Sequence, residues 1–182
     1  MRIGPIVFAL LLSAAPCLAA APAGDTLDEL FDKLGKTESP EIAVVIEARI
    51  WDLWLRSGSD SVDLIMTRGL DAIAADDYDT ALELFTAATE IKPDFAEGWN
   101  KRATVNFLKG DYDKALVDIN HVLKLEPRHF GAMVGLAKIL ESYGEKAKAL
   151  EAYRKALAID PFLEGVKENI ERLKPEVEGR GI

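Results

Sequence analysis

The chain has 182 residues, of which 22 are basic and 31 acidic, so its formal net charge at pH 7 is −9. This length suits about one compact domain and argues against a multidomain enzyme. The negative charge repels a phosphate backbone, and no run of Lys or Arg is long enough to form a basic face, so we expect no nucleic-acid partner.

Residues 1–23 have the pattern of a secretory signal peptide. Arg2 supplies the positive start, Ile3–Leu12 is apolar, and the stretch up to residue 23 is rich in small residues with Ala-x-Ala spacings. The apolar run is too short to cross a bilayer. We therefore expect a periplasmic or secreted protein with no stable membrane span once the signal is removed, the cleavage site remaining open.

The single cysteine, Cys17, lies inside this segment. Cleavage would leave the mature chain without a thiol, which excludes disulfides, thiolate metal ligands and cysteine nucleophiles.

Two helices are predicted in residues 24–61. Thr26–Lys36 forms a short helix, a break follows at Thr37–Pro40, and Glu41–Ser57 forms a longer helix that is apolar over most of its length and must be covered. Two interpretations stay open: an N-terminal cap or degenerate repeat, and a separate dimerisation element. The second would be built on Trp51 and Trp54.

The rest of the chain repeats with a period of 34 residues. Three helical segments end at a proline, at Pro93, Pro127 and Pro161. Small residues recur at fixed offsets before each proline, and a bulky residue follows the second small residue. The small residues are Gly69, Ala103, Ala137, Ala81, Ala115 and Ala149, and the bulky ones are Phe85, Ile119 and Tyr153.

This pattern over Val62–Leu163 resembles the tetratricopeptide-repeat family. The resemblance implies an all-α fold, a right-handed superhelix of stacked antiparallel helix pairs with N-terminal helices and a C-terminal capping helix. The repeats would span residues 62–95, 96–129 and 130–163, and a capping helix at 164–175 would end at Pro175, followed by a tail at 176–182.

The repeat residues have a packing role. A small residue at Gly69 lets the first helix of a pair approach the second, and Phe85 fills the space that remains. Asn106 stands where the family usually has an aromatic residue. Ile65 and Met133 replace an early tryptophan, so we expect the outer repeats to pack somewhat less tightly at that corner. Asp77 and Asp111 are predicted to cap the second helices of their repeats.

No constellation for catalysis or metal binding is evident. The two histidines, His121 and His129, have no Cys, His or carboxylate partners at a metal-ligand spacing, and we interpret both as surface or packing residues. Nucleophile-elbow, phosphate-loop and dinucleotide motifs are absent. We expect no enzyme activity, no cofactor and no metal.

The family resemblance implies a groove lined by the first helix of each repeat. The side chains expected on its concave wall are Met66, Leu70, Ile73, Asn100, Thr104, Phe107, Val134, Lys138 and Glu141. Some family members hold a C-terminal carboxylate there with several cations, but here only Asn100 and Lys138 could serve. The groove is therefore expected to suit an amphipathic segment, unless the N-terminal helices cover it with Trp51 or Trp54.

The predicted function is a periplasmic scaffold or adaptor that binds a peptide or helix of a protein partner in this groove. The alternative is a self-associating assembly protein, a homo-oligomer that uses the tryptophan-rich N-terminal helix.

Overall fold

A computed structural model describes residues 24–179. The predicted signal peptide at 1–23 and the last three residues of the predicted tail lie outside this range. Within it, all regular secondary structure is helical, in agreement with the predicted fold class. The helices are α1 (Leu27–Lys36), α2 (Pro40–Trp54), α3 (Asp60–Ala74), α4 (Tyr78–Ile91), α5 (Ala96–Leu108), α6 (Tyr112–Leu125), α7 (Phe130–Ser142), α8 (Lys146–Ile159) and α9 (Val166–Val177).

The two N-terminal helices begin at strong local signals. The Thr26 hydroxyl accepts from the Glu29 N–H at 3.3 Å, and the Glu29 carboxylate accepts from the Thr26 N–H at 2.8 Å, which forms a capping box for α1. Pro40 occupies the first turn of α2, where its missing N–H costs nothing. Helix α2 ends before the predicted Ser57, whose N–H donates to the Asp63 carboxylate of α3 at 2.9 Å.

Three antiparallel pairs, α3–α4, α5–α6 and α7–α8, form the repeats. A residue with positive φ closes the turn of each pair, at Asp76, Gly110 and Gly144. The predicted cap at Asp77 is present, since its carboxylate accepts from the Thr80 N–H at 3.1 Å. Asp111 makes no such bond, because its carboxylate pairs with Lys114 at 2.9 Å.

Close approach within a pair depends on the small residues, as the sequence predicts. A Cβ atom built on Gly69 would lie 2.6 Å from the ring of Phe85, and Phe85 is fully buried. Ala81, Ala115 and Ala149 are also fully buried. The three pairs stack in chain order, so each repeat covers the apolar face of the one before it.

Helix α9 covers the outer side of the last repeat. Val166 and Leu173 are buried against α8, and Val177 packs on the same cluster. Pro175, predicted to end this helix, lies inside its last turn. The helix continues because Val177 packs on this cluster and Glu178 forms an ion pair with Arg154 of α8 at 2.7 Å. The first residues of the predicted tail therefore belong to the helix.

A polar network occupies the position where Asn106 replaces an aromatic residue. Asn106 Nδ2 donates to Asp118 Oδ2 at 3.0 Å, and Arg102 donates to both Asp118 oxygens, at 3.0 and 2.6 Å. Arg102 also donates to the Thr89 hydroxyl at 3.0 Å and lies 4.6 Å from the centre of the Trp99 ring. A charge-assisted bidentate pair therefore links α5 to α6, and a single hydrogen bond links α5 to α4, at the position where the family usually has an aromatic residue.

Gly69→Ala should lower the free energy of unfolding by about 1–3 kcal/mol, because the added methyl group forces the packed Phe85 ring to move. Gly35 of α1 is a matched control, since a Cβ there meets nothing within 4 Å. Gly35→Ala should stabilise the protein by up to about 1 kcal/mol through helix propensity. Urea unfolding followed by circular dichroism measures both, and equal effects would contradict the packing role of Gly69.

Candidate functional site

The helices α1 and α2 form an N-terminal hairpin that packs on the third repeat. Its inner face joins Phe130 of α7 and Ala156 of α8 in one buried cluster. Arg128, in the turn before α7, pairs with Asp28 of α1 at 2.7 Å and lies 4.3 Å from the ring centre of Phe31. The hairpin thus covers the start of the first helix of the third repeat, which lies on the concave side of the stack.

Both hairpin tryptophans face inward. Trp54 is buried and stacks on His129 with ring centres 4.1 Å apart, and Trp51 meets Phe130 edge-on at 5.5 Å. A Cβ on Gly131 would lie 2.7 Å from the Trp51 ring, so α7 carries glycine where this ring rests. The two rings are therefore engaged within the chain, and this arrangement does not favour a dimerisation element built on them.

His129 is the centre of a buried polar network. Its Nδ1 accepts from the Ala132 N–H at 3.1 Å, which caps α7, so Nε2 carries the proton and donates to Glu97 Oε2 at 2.9 Å. Asn100 donates to the same Glu97 oxygen at 3.0 Å, and Lys101 pairs with the other at 2.8 Å. The sequence left surface and packing roles open for His129, and the structure buries it fully.

The ionised form of Glu97 is stabilised despite its burial. Burial opposes ionisation, but the hydrogen bond from His129 and the positive charge of Lys101 outweigh it, so the pKa of Glu97 is lowered from its ordinary value. The network ties α5 to α7 and holds the Asn100 amide. Asn100 is thereby committed to structure, which limits its use in binding a ligand.

Four of the nine predicted wall residues do not line the cavity that the other five share. Met66 is buried in the core of the first repeat, and Ile73 packs half-buried against that core. Leu70 is 37% exposed and does not line that cavity. Glu141 accepts from the Tyr153 hydroxyl at 2.8 Å and from Arg172 of α9 at 2.6 Å, so the capping helix engages it.

The other five predicted residues meet in one cavity. They line a cleft of about 280 Å³ between α5 and α7, which we call the α5–α7 cleft. Val134 and Gly131 border this cleft and also contact the hairpin, so the hairpin closes one end of it. The predicted residues of the cleft are Asn100, Thr104, Phe107, Val134 and Lys138.

Sequence reasoning missed the floor of the cleft. Ile119 and Ile139 are buried core residues that reach it from α6 and α7. Gly135 leaves the floor open, since a Cβ there would lie 3.3 Å from the end of the Ile119 side chain. The glycines at positions 131 and 135 of α7, a helix that is mostly apolar, are the sequence signal that could have pointed to this cleft.

Metal-ligand clusters and membrane-spanning helices can be assessed for residues 24–179. In this range, no group of three or more His, Cys, Asp or Glu side chains could hold a metal ion. None of its helices is long and apolar enough to cross a membrane.

Comparison with known proteins identifies the architecture. The family model described as tetratricopeptide repeat matches residues 66–120 and 118–164, more than half of the chain. The chain belongs to the tetratricopeptide-repeat family. It is also similar to a TPR repeat-containing protein of Rhizobium etli, with 36% identity over 187 residues that cover 96% of this chain and 92% of the relative.

Solved structures share the same fold. The Sgt2 TPR domain from Aspergillus fumigatus superposes with a TM-score of 0.62 and 24% identity over 66% of this chain and 81% of that one. The first TPR of Spaghetti (RPAP3), bound to the HSP90 peptide SRMEEVD, gives a TM-score of 0.62 and 15% identity. The superposition covers 64% of this chain and 93% of that one. At these identities the likeness establishes the tetratricopeptide-repeat stack alone.

His129→Ala should lower the free energy of unfolding by about 2–4 kcal/mol, because it removes the cap of α7 and a hydrogen bond of the buried Glu97 carboxylate. His121 is the control: it is exposed on α6 and stacks on Trp99 at 4.2 Å. His121→Ala should cost less than about 1 kcal/mol. Urea unfolding followed by tryptophan fluorescence measures the loss of unfolding free energy in each variant. Similar losses for the two variants would contradict the structural role of the His129 network.

Acidic pH should relieve a charge conflict beneath the hairpin. Burial raises the pKa of Glu47 of α2, and the negative charge of Asp160 raises it further. Burial also raises the pKa of Asp160, and the hydrogen bond from the Phe162 N–H only partly offsets this effect. When the pKa of a carboxyl group is higher in the folded than in the unfolded protein, its ionisation destabilises the fold at neutral pH. This destabilisation disappears as the pH falls through the folded-state pKa.

Glu47→Gln should therefore stabilise the protein at pH 7 by about 0.5–1 kcal/mol, with little gain once the pH lies below the ordinary carboxyl pKa. Urea midpoints at neutral and acidic pH test this, with Glu83→Gln on the exposed face of α4 as the control. A gain for Glu47→Gln that does not change with pH would argue against the carboxylate pair.

Proposed function

We propose that this chain is a protein-interaction adaptor that binds a peptide or helical segment of a partner in the α5–α7 cleft. One observation carries the proposal: between residues 24 and 179, the N-terminal hairpin covers one end of the concave face and leaves this cleft open beside it. The tetratricopeptide-repeat fold presents such a surface to extended or helical ligands.

The lining of the cleft indicates the chemistry of the ligand. Ile119 and Ile139 make the floor apolar, and Phe107 and Val134 add apolar side chains to the lining, while Thr104 and Lys138 are exposed at the rim. Within the described range, Lys138 forms no ion pair. A segment with apolar side chains for the floor and a carboxylate or other acceptor for Lys138 fits this arrangement.

The cleft does not favour a binding site based on several cations. Asn100 already donates to Glu97, and the first repeat contributes the buried Met66 and the apolar Leu70. The RPAP3 domain with the same fold is described as bound to a peptide, which supports peptide binding by this architecture. In this chain the ligand would be held mainly through apolar contacts, with Lys138 fixing its direction.

The proposed location is the periplasm or the exterior of the cell, and it rests on the signal-like sequence of residues 1–23. Self-association through Trp51 and Trp54 is not favoured, because both rings pack against α7 and its cap.

Thr104→Trp tests the cleft, because an exposed threonine can be enlarged without disturbing the core and the indole would fill the cleft. Peptides selected from a display library against the wild-type chain should bind Thr104→Trp and Phe107→Ala at least about tenfold more weakly by fluorescence titration. Ser142→Trp, exposed near the end of α7, is the control and should bind normally. Peptides that bind Thr104→Trp as well as wild type would rule out this cleft as the site.

A further inference from the structure

An aromatic ring lies against a glycine of α7 at the closed end of the α5–α7 cleft. A Cβ atom built on Gly131 would lie 2.7 and 3.2 Å from two atoms of the Trp51 ring, so this ring reaches the backbone of α7. The ammonium group of Lys101 lies 5.6 Å from the centre of the same ring, which is within the range of a cation–π contact. Where the hairpin meets the stack, a glycine, an indole ring and a lysine are therefore in contact.

Gly135 borders the cleft one turn further along α7. Among residues 24–179 and apart from its own helix, the only atom within 4 Å of a Cβ built there is Cδ1 of Ile119, at 3.3 Å. Lys138 follows three residues later and is exposed on the same cleft. A glycine and a lysine thus face the cavity at Gly135 as another such pair faces the Trp51 ring.

Packing within the chain accounts better for Gly131 than for Gly135. Glycine in the interior of a helix is less stable than alanine, so each of these residues needs a reason. A methyl group on Gly131 would meet the Trp51 ring at the closer distance of 2.7 Å, whereas one on Gly135 would meet only the flexible end of Ile119. The backbone at Gly135 instead offers a surface without a Cβ to the cleft.

The helical spacing fits a second ring at this place. Gly131, Gly135 and Lys138 are separated by four and three residues, so they share one face of α7. Four residues advance a helix by about 6 Å, so a ring on Gly135 would lie about 6 Å along the axis from the ring on Gly131. Aromatic pairs prefer ring centres about 4.5–7 Å apart. Lys138 lies about 4.5 Å further along the axis, within reach of the face of such a ring.

We propose that the partner segment carries an aromatic side chain that lies against Gly135, between Trp51 and Lys138. This inference rests on the proposed function of the α5–α7 cleft and names the residue type that the cleft selects. The bound ring would extend the interface between the hairpin and α7, so the hairpin forms one wall of the binding site. An aliphatic side chain could fill the same space, but it would make neither the aromatic pair nor the cation–π contact.

Two small probes of similar shape test the selection for an aromatic ring. N-acetyl-phenylalanine amide and N-acetyl-cyclohexylalanine amide differ only in the saturation of the ring, and the saturated ring is the more hydrophobic. In a nitrogen-15 NMR titration of the full chain, the phenylalanine derivative should bind about two- to tenfold more tightly. Equal or tighter binding of the cyclohexyl derivative, or no binding of the phenylalanine derivative, would overturn the proposal.

The same titration locates the bound ring. The indole N–H signal of Trp51 should shift on addition of the phenylalanine derivative, because the bound ring lies beside the Trp51 ring. The signal of Trp99 should stay in place, since its N–H donates to the Pro93 carbonyl at 2.9 Å and its side chain does not line the cleft. A Trp51 signal that does not move would contradict the position of the ring.

Gly135→Ala tests the contact with the backbone of α7. The added methyl group would hold the ring away from the helix, so the phenylalanine derivative should bind at least about fivefold more weakly. Gly35→Ala is the matched control, since a Cβ on Gly35 meets nothing within 4 Å, and it should bind normally. Wild-type affinity in Gly135→Ala would overturn the proposal, and circular dichroism ensures that only folded variants are compared.

Lys138→Met tests the cation–π contact without altering the packed backbone, because methionine keeps an apolar stem and lacks the charge. It should weaken the phenylalanine derivative about two- to fivefold and leave the cyclohexyl derivative unchanged. Lys124→Met, at an exposed position on α6, is the control and should affect neither probe. Equal changes for the two probes in Lys138→Met would overturn the role of Lys138.

Peptides selected from the display library distinguish this inference from the proposed function. Peptides that lose binding to Thr104→Trp but share no aromatic residue would overturn the aromatic selection and leave the peptide site in place. Binding of the phenylalanine derivative beside Trp51, with no peptide bound in the cleft, would support the aromatic selection and contradict the adaptor.

Discussion

Each helix pair of this chain has an apolar face that its own two helices cannot cover. The 34-residue repeat solves this by stacking, because each pair covers the next, and the stack is possible only where small and bulky residues alternate at fixed places. Gly69 against Phe85 shows the constraint directly, since no Cβ fits between them. The last repeat has no following repeat to cover it, and α9 supplies that cover.

At the C-terminal end, α9 covers the last repeat with Val166, Leu173 and Val177, and ion pairs to α8 extend it past Pro175. The N-terminal hairpin packs on the third repeat, where Phe130 and Ala156 join its inner face. The contacts between the N-terminal hairpin and the third repeat therefore close part of the concave surface. The α5–α7 cleft beside them stays open.

The junction of hairpin and stack depends on His129. Its ring receives Trp54 on one face, caps α7 with one nitrogen and donates to Glu97 with the other. This one side chain couples the position of the hairpin to that of α5 and so to the wall of the cleft. A partner that entered the cleft would contact a surface whose shape His129 helps to set, although the ring itself is buried.

The sequence by itself determined the repeats, the helix-forming segments and the small-to-large packing, because these depend on residues at fixed short separations. The family resemblance implied a shared wall for Asn100, Thr104, Phe107, Val134 and Lys138, and these five residues line one cleft. The sequence could not reveal that Met66 is buried or that Glu141 is held by Arg172.

Only the tertiary structure decided where the hairpin lies, that Asn106 joins an Asp118 network, and that Trp51 and Trp54 face inward. These contacts join residues far apart in the chain, and the local hydrophobic pattern does not specify which distant surface a helix will choose.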